Sequence, residues 1–428
     1  MPSAVKKSGP IVRALQQNPG LCVGLLPHEC RPLAGIQNSP PSPWQPQIPA
    51  VCCTVIGQVR WYGGAVAWWK YFRGLERDFN LTVAPATSSS SATTAAGGNS
   101  RQVYTVLGCP RGGTSAVTRA LQCLGVDLGE EKNLRRPGLG NPEGFWEDLG
   151  VQDLCERCMA AFNMEWDSLR LLKPADWDST GGKLFLAESG EIVASRIARA
   201  ADGRWGCKNP RMARTLWMWM EAFRRADCQD SYIIVLRNPL SVAASIIANS
   251  PHRAVGNNPT HIHLAWLVHM LGSMEPALLG KPAVIVDYDL MLANPQAQLQ
   301  RMADGLHLPN LPQNQSQIDH YCNEFLKPGA RHAVFTQKDI ETNPLIPSLV
   351  ARAYQLLAAA AADQTSLSAA EFKAGWAQVQ ADAADRQPLF AYIDWANAKL
   401  VRRHPTLRKI YQRLPLGIKR LLARASAQ

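Results

Sequence analysis

The sequence predicts an α/β architecture, a central parallel sheet with flanking helices and a helical C-terminal extension. Three observations carry that expectation. From Arg101 onward, short apolar runs alternate with segments of helical period. The first run, Val103 to Leu107, passes through a Gly/Pro turn directly into a helix. Asn-Pro pairs then announce helix starts after later runs, with Asn as N-cap and Pro in the first turn.

The chain before Arg101 has a different character. Residues 1–50 are rich in Pro, Ser and Gln without a sustained period, as in disordered or loosely held segments. Between Val51 and Phe72 lies an apolar and aromatic patch, but Arg60 and Lys70 interrupt it and leave no run able to span a bilayer. The Ser/Thr/Ala/Gly run from Ala84 to Ser100 has linker composition. The expected organisation is therefore an N-terminal extension (1–83), a flexible linker (84–100), an α/β domain (101–336) and a helical C-terminal region with a basic tail (337–428).

Within the α/β domain the expected strands are Val103–Leu107, Arg204–Lys208, Tyr232–Leu236 and Ala283–Asp287. The first expected helix opens at Gly113-Thr114-Ser115 and runs through Leu124. Val151, Leu154, Cys155, Cys158, Met159 and Phe162 share one face of another, which makes the Cys155-x-x-Cys158 pair core rather than a redox or metal motif. Asn238-Pro239 starts Leu240–Asn249, Thr260 is the expected cap of His261–Leu279, and Asn294-Pro295 starts Gln296–Asp304, closed by Gly305. Beyond Gln337 the pattern is helical, including the Ala-rich Leu349–Ala362.

Charge distribution narrows the partners. The chain has 428 residues, 46% hydrophobic content and a net charge of +11. Residues 1–100 hold 8 Lys/Arg against 3 Asp/Glu and residues 399–428 hold 9 against none, leaving 28 against 31 in the body between. The body is slightly acidic, so nucleic-acid binding by it is disfavoured and any anionic ligand has to be held by local loops. Eleven cysteines, an odd number without repeated spacing, predict reduced thiols in a cytoplasmic setting. The basic, leucine-containing tail from Lys399 to Arg424 fits peripheral contact with an anionic membrane or an acidic partner, and equally a terminal helix folded back on the body.

Chemistry concentrates at Tyr104-Thr-Val-Leu-Gly-Cys-Pro-Arg-Gly-Gly-Thr-Ser-Ala-Val-Thr-Arg119. A strand, a glycine turn and a new helix N-terminus direct several backbone N–H groups at one spot, a cradle for phosphate. Arg111, Thr114 and Ser115 add side-chain donors beside Gly112 and Gly113. The frame Gly108-x-x-x-x-Gly113-Thr114-Ser115 departs from a Walker A loop at one letter, because Thr114 stands where the lysine that reaches the β/γ-phosphates belongs. The alternative is a purely structural glycine turn.

A second stretch, Tyr232-Ile-Ile-Val-Leu-Arg237-Asn-Pro-Leu-Ser-Val-Ala-Ala-Ser245, ends a strand on Arg237 and places Ser245 eight residues on, two helical turns later. In a doubly wound sheet, strand C-terminal ends face the ligand crevice, which would bring Arg237 to the cradle. Otherwise Arg237 makes a surface ion pair and Ser245 is a small packing residue.

Together these two stretches resemble the cofactor site of sulfotransferases that use 3′-phosphoadenosine 5′-phosphosulfate (PAPS), of bacterial type and P-loop-like fold. The resemblance implies that Arg111, Gly112, Gly113, Thr114 and Ser115 hold the 5′ end and that Arg237 and Ser245 hold the 3′-phosphate. Further segments are similar in order: Trp205-Gly-Cys-Lys208-Asn-Pro-Arg211, then Val286-Asp-Tyr288-Asp-Leu-Met-Leu-Ala-Asn-Pro295, then Phe325-Leu-Lys327-Pro-Gly-Ala-Arg331-His332. By likeness Arg331 belongs to a late basic loop that closes over the nucleotide. The similar region spans about residues 102–334.

Sulfonyl transfer to a hydroxyl on a carbohydrate, lipid or small-molecule acceptor requires a base for the hydroxyl proton and a cation for the leaving oxygen. Lys208, at a strand end, is the candidate cation. In Asn141-Pro-Glu143-Gly-Phe-Trp-Glu147-Asp148 the resemblance favours Glu147 as base over Glu143. The competing assignment gives Glu147 and Asp148 to the helix that begins near Leu149. His261, His263 and His269 are packing or acceptor-pocket candidates, and Trp205 and Phe145 are core, adenine-stacking or acceptor-pocket candidates. This chemistry calls for no metal. Two other functions fit the same cradle: a P-loop kinase-like phosphotransferase, which would require Mg²⁺, and a non-catalytic nucleotide-binding interaction protein.

Overall fold

In the computed structural model, the described residues are 101–138, 141–249, 258–308, 314–327, 329 and 333–402. The expectations for residues 1–100, for Arg331 and His332, and for the tail beyond Arg402 fall outside them.

Four strands form one parallel sheet in the order β2-β1-β3-β4: β1 Gln102–Gly108, β2 Arg204–Lys208, β3 Gln229–Leu236 and β4 Ala283–Asp287. The pairings Val106↔Lys208, Gly108↔Val235 and Leu236↔Asp287 bring the four C-terminal ends into line. Parallel sheets are covered on both faces, which is why β3 and β4 contain continuous buried runs of Val, Ile and Leu, and why β2, Arg-Trp-Gly-Cys-Lys, is buried from Trp205 to Lys208. β3 begins three residues before the expected Tyr232, because Gln229-Asp-Ser pairs along β1. Asp230 is made tolerable there by the Tyr232 hydroxyl at 2.6 Å and by Lys281 at 2.7 Å.

The principal helices are α1 Thr114–Cys123, α2 Leu149–Ala161, α3 Thr180–Ile197, α4 Leu216–Arg225, α5 Pro239–Asn249, α6 Pro259–Leu278, α7 Tyr288–Ala293, α8 Pro295–Gly305, α9 Gln315–His320, α10 Gln337–Thr342, α11 Ser348–Ala361, α12 Ala370–Asp385 and α13 Gln387–Arg402. Asn238 Oδ1 accepts from Leu240 N–H and Asn294 Oδ1 from Ala297 N–H, the expected caps. For α6 the cap is Asn258, which accepts from His261 N–H with Pro259 at the first position, rather than Thr260. Thr260 instead donates to the Leu345 carbonyl. The same Asn-Pro signal operates here two residues earlier than the expected start.

One sheet face packs Ile234, Leu236 and Ile285 against α5, α6, α11 and α12 through Ile246, Trp266, Met270, Leu357 and Trp376. The other face packs Val106, Ile233 and Val286 against Val117, Leu121 and Met302 of α1 and α8. At the β2 side, Trp205 and Cys207 meet α2, α3 and α4, and both Cys155 and Cys158 are fully buried among them. Trp205, 1% exposed, belongs to this core. Each such large apolar side chain contributes roughly 1.5–3 kcal/mol through burial. Gly272 gives α6 its seat: a Cβ there would overlap the Ala213 carbonyl oxygen, in the turn that follows Lys208. The seven cysteines among the described residues are free thiols. Among the described residues no helix is long and apolar enough to cross a membrane.

Candidate active site

The cradle sits where β1 gives way to α1. Gly112 N–H closes the turn onto the Cys109 carbonyl at 3.0 Å, Arg111 adopts φ 67° and Gly113 φ 93°. Gly113 is required twice over. Its backbone is left-handed, and a Cβ would collide with the Tyr288 ring packed against it. As N-cap without a side chain, Gly113 makes no side-chain capping bond, while its carbonyl accepts from Ala116 and Val117 N–H at 3.0 and 3.2 Å.

Two groups of side chains flank this turn. On one flank Arg111 Nε donates to Ser245 Oγ at 3.1 Å, and an Arg237 nitrogen donates to the Arg111 carbonyl at 2.9 Å. The Arg237 guanidinium lies 5.0 Å over the Tyr288 ring that backs Gly113. Ser245 and Arg237 are buried, since β3 ends at the crevice and α5 turns Ser245 back toward it. Burial lowers the Arg111 pKa, and the neighbouring positive charge of Arg237 lowers it further. The resemblance grouped Arg111 with Thr114 and Ser115, whereas its side chain extends to the Ser245 flank.

On the other flank Lys208 Nζ, at the end of β2, lies 2.9 Å from Glu147 Oε1 and 3.3 Å from Ser115 Oγ. Both charged groups are buried, Lys208 at 1% and Glu147 at 4% exposure. The second carboxylate oxygen of Glu147 accepts from Arg135 at 3.1 Å. Burial alone would raise the Glu147 pKa, but Lys208 and then Arg135 outweigh it and hold the carboxyl below its ordinary range. Burial lowers the Lys208 ammonium, with Glu147 opposing that effect. The Ser115 hydroxyl donates to the Phe145 carbonyl at 3.3 Å and accepts from Asn141 Nδ2 at 3.0 Å, which fastens the loop carrying Glu147 to the start of α1.

The structure separates the acidic residues of that loop. Asp148 caps α2, accepting from Gly150 and Val151 N–H, and is clamped by Arg196 Nε at 2.6 Å. Glu147 takes no part in the cap and turns to Lys208. Trp146, with φ 55°, supplies the reversal between Phe145 and Glu147. Glu143 is on the rim, in an exposed ion pair with Lys327 at 2.7 Å. Thr114 is buried at the foot of α1, and Gly112 closes the turn. Thus Arg111, Gly112, Gly113, Thr114, Ser115, Lys208, Glu147, Arg237 and Ser245 converge, Glu143 stands apart, and Arg331 lies outside the described residues.

The three histidines of α6 are buried. His269 is fully buried, donates from Nδ1 to the Ala265 carbonyl at 2.8 Å, and is driven to a pKa of about 3 by burial and then by the charge of Arg214. His263 Nδ1 donates to the Leu345 carbonyl. His261 is buried as well. Phe145 carries the Arg135 guanidinium on its ring at 3.8 Å. Arg135 and Asn141 are the parts the sequence reading did not assign. Asn141 opens the quoted acidic-aromatic loop and was legible as a neighbour, whereas Arg135 lies twelve residues before Glu147 and no helical or strand spacing links the two.

Chemically, the arrangement offers donors to an anion from backbone and side chain, two guanidiniums on one flank, and an ionised carboxylate beside an ammonium on the other. No family model matches the chain, and comparison with curated sequences finds no match. Among solved structures the chain is similar to the sulfotransferase domain from the curacin biosynthetic pathway, with 16% identity over 50% of this chain and 77% of that one and a TM-score of 0.29. It is also similar to the sulfotransferase domain from the Synechococcus PCC 7002 olefin synthase, with 17% identity over 71% of this chain and 99% of that one and a TM-score of 0.30.

Proposed function

We propose that the chain is a PAPS-dependent sulfotransferase that acts on a hydroxyl-bearing acceptor. The observation that carries this reading is the position of Lys208, buried between the cradle residue Ser115 and the carboxylate of Glu147. A cation there serves an anion in the cradle and a base beside it at once.

The residues present fit the cofactor. The side chains proposed to hold its phosphates, Arg111, Thr114, Ser115, Arg237 and Ser245, all carry hydrogen-bond donors, and the uncapped α1 N-terminus adds backbone N–H groups. Arg237 and Ser245, joined by Arg111, would hold the 3′-phosphate, and Thr114, Ser115 and Lys208 the 5′ end. When bound, PAPS supplies a sulfonyl group on a bisphosphate leaving group. Glu147, kept ionised by its two cations, accepts the acceptor hydroxyl proton at a carboxylate oxygen. Lys208 opposes the negative charge that develops at the 5′ end. Arg331 would join the nucleotide from the late basic loop.

Calorimetric titration with adenosine 3′,5′-bisphosphate and with ATP, each with and without Mg²⁺, tests the proposal. Metal-independent bisphosphate binding is expected, together with transfer of radiolabel from PAPS in a panel of carbohydrate, lipid and small-molecule hydroxyls. Micromolar ATP affinity without bisphosphate binding would make the protein a phosphotransferase instead. Bisphosphate binding without turnover on any acceptor would leave a non-catalytic nucleotide-binding protein.

A further inference from the structure

Glu147 is held by two cations of different kinds. Lys208 is shared, because its ammonium also reaches Ser115 in the cradle. Arg135 is dedicated. Its backbone N–H donates to the Glu147 carbonyl at 2.8 Å and its guanidinium to the Glu147 carboxylate at 3.1 Å. An antiparallel bridge between Leu134 and Asp148 sets that register, so Arg135 is opposite Glu147 by backbone pairing as well as by charge. The guanidinium is braced from its other side by the Phe145 ring at 3.8 Å.

We infer that Arg135 is a positioning residue for the base: it holds the second carboxylate oxygen of Glu147 in one orientation, on a contact separate from that of Lys208. The reasoning is chemical as well as geometric. An ammonium in a dry site loses its proton more readily than a guanidinium, which stays charged at every working pH. Lys208 is 1% exposed, while the Arg135 side chain is 40% exposed and keeps its hydration in part. The charged groups acting on Glu147 are Lys208 from the end of β2 and Arg135 from the facing segment. The adjacent Asp148 carboxylate is occupied by Arg196 and the α2 N-terminus. As a consequence, the two carboxylate oxygens have separate duties: one faces the cradle with Lys208, the other is anchored away from it.

This inference rests on the proposed role of Glu147, and its test includes a readout that needs no reaction. Infrared titration of the Glu147 carboxyl, identified as the band missing from Glu147→Gln, follows its protonation in the unliganded full chain. In Arg135→Gln the midpoint is expected to rise by about one pH unit, the low end for loss of a neighbouring opposite charge because Arg135 is partly exposed. Arg135→Lys should restore most of the midpoint, and Arg135→Met, which keeps the stem on Phe145, gives the same readout as Gln if that variant is unstable. In PAPS transfer assays the acidic limb of kcat/KM should move with the midpoint, about tenfold in rate at pH values below it. An unchanged midpoint in both neutral variants, or an equal loss of transfer at every pH, overturns the assignment of Arg135. A wild-type chain that neither binds the bisphosphate nor transfers sulfonyl overturns the sulfotransferase reading, while the infrared midpoint still decides the role of Arg135.

Discussion

At the Ser115 flank of the cradle the ammonium of Lys208 meets a carboxylate, whereas at the Arg111 flank one guanidinium, Arg111, donates to the Ser245 hydroxyl and a second, Arg237, to the Arg111 carbonyl. Both flanks are buried and both are built at strand ends, yet their charge balance differs. Positive charge near Glu147 lowers the pKa of a group that, as the proposed base, would change protonation state. At the Ser245 flank burial first, and then the positive charge of Arg237, lowers the Arg111 pKa, a cost that an anion bound as proposed would offset. The difference teaches that proximity to the cradle does not by itself assign a residue to chemistry. Under the proposed function, the cation with a titratable partner would serve the reaction, and the cations clustered with neutral donors would serve binding.

Four substitutions break or sharpen that division. The largest effect is expected from Glu147→Gln, which keeps the size, leaves one acceptor oxygen where two accepted from Lys208 and Arg135, and removes the base. Transfer should fall by about 10²- to 10⁴-fold with bisphosphate affinity nearly unchanged. Full activity in that variant, with loss in Glu143→Gln, would move the base to the rim residue. Arg237→Ala should act in the opposite manner, weakening bisphosphate affinity about 10- to 100-fold, as expected for one charge-assisted contact, with smaller change in rate at saturating donor. Calorimetry and initial rates separate the two, and equal loss of kcat would abolish the distinction between the flanks.

Ser245→Ala removes a single neutral partner and should weaken affinity by about tenfold or less. A null result in titration would reassign Ser245 to orienting Arg111 alone. The smallest effect concerns Asp287, which caps α7 beneath Tyr288 by accepting from Asp289 N–H at 2.7 Å and Leu290 N–H at 3.1 Å. Burial raises its pKa from 3.8 to about 6, against the lowering effect of those bonds and of Arg237. A folded-state pKa above the unfolded one favours the fold below about pH 4, and that contribution is lost as pH rises toward 6. Asp287→Asn keeps an acceptor for the cap and has no charge to lose. Its Tm should match or exceed wild type above pH 6, with the advantage shrinking on acidification. Parallel Tm curves for the two proteins would contradict the raised pKa.

The four strands were legible because buried parallel strands are continuous apolar runs bounded by Gly, Pro and polar turns, and their site residues because a parallel sheet delivers its C-terminal ends to one crevice. Asn238 and Asn294 were legible as caps because capping is a local bond between neighbours in sequence. Polar Gln229-Asp-Ser was not legible as strand, since its strand state depends on β1 and on Lys281. The reach of Arg111 to Ser245 crosses 134 residues and required the tertiary path of α5. Glu147 and Asp148 are adjacent and alike in sequence. Only the Leu134–Asp148 bridge and the left-handed Trp146 show which one turns inward.

Gly272 has a practical consequence for anyone reading a mutational screen of this chain. It makes no contact with the charged residues of the cradle, and its α6 neighbours Leu271 and Ser273 are buried in the apolar interior. Yet any larger residue there has to push against the carbonyl of Ala213, and the turn that would yield begins two residues after Lys208. Inactivating alleles at position 272 would therefore mimic a lesion in the Lys208 ammonium while sparing every side chain proposed to act in the reaction. A suppressor search started from such an allele would return compensating changes in the 210–214 turn, mapping the mechanical support of the site rather than its chemistry.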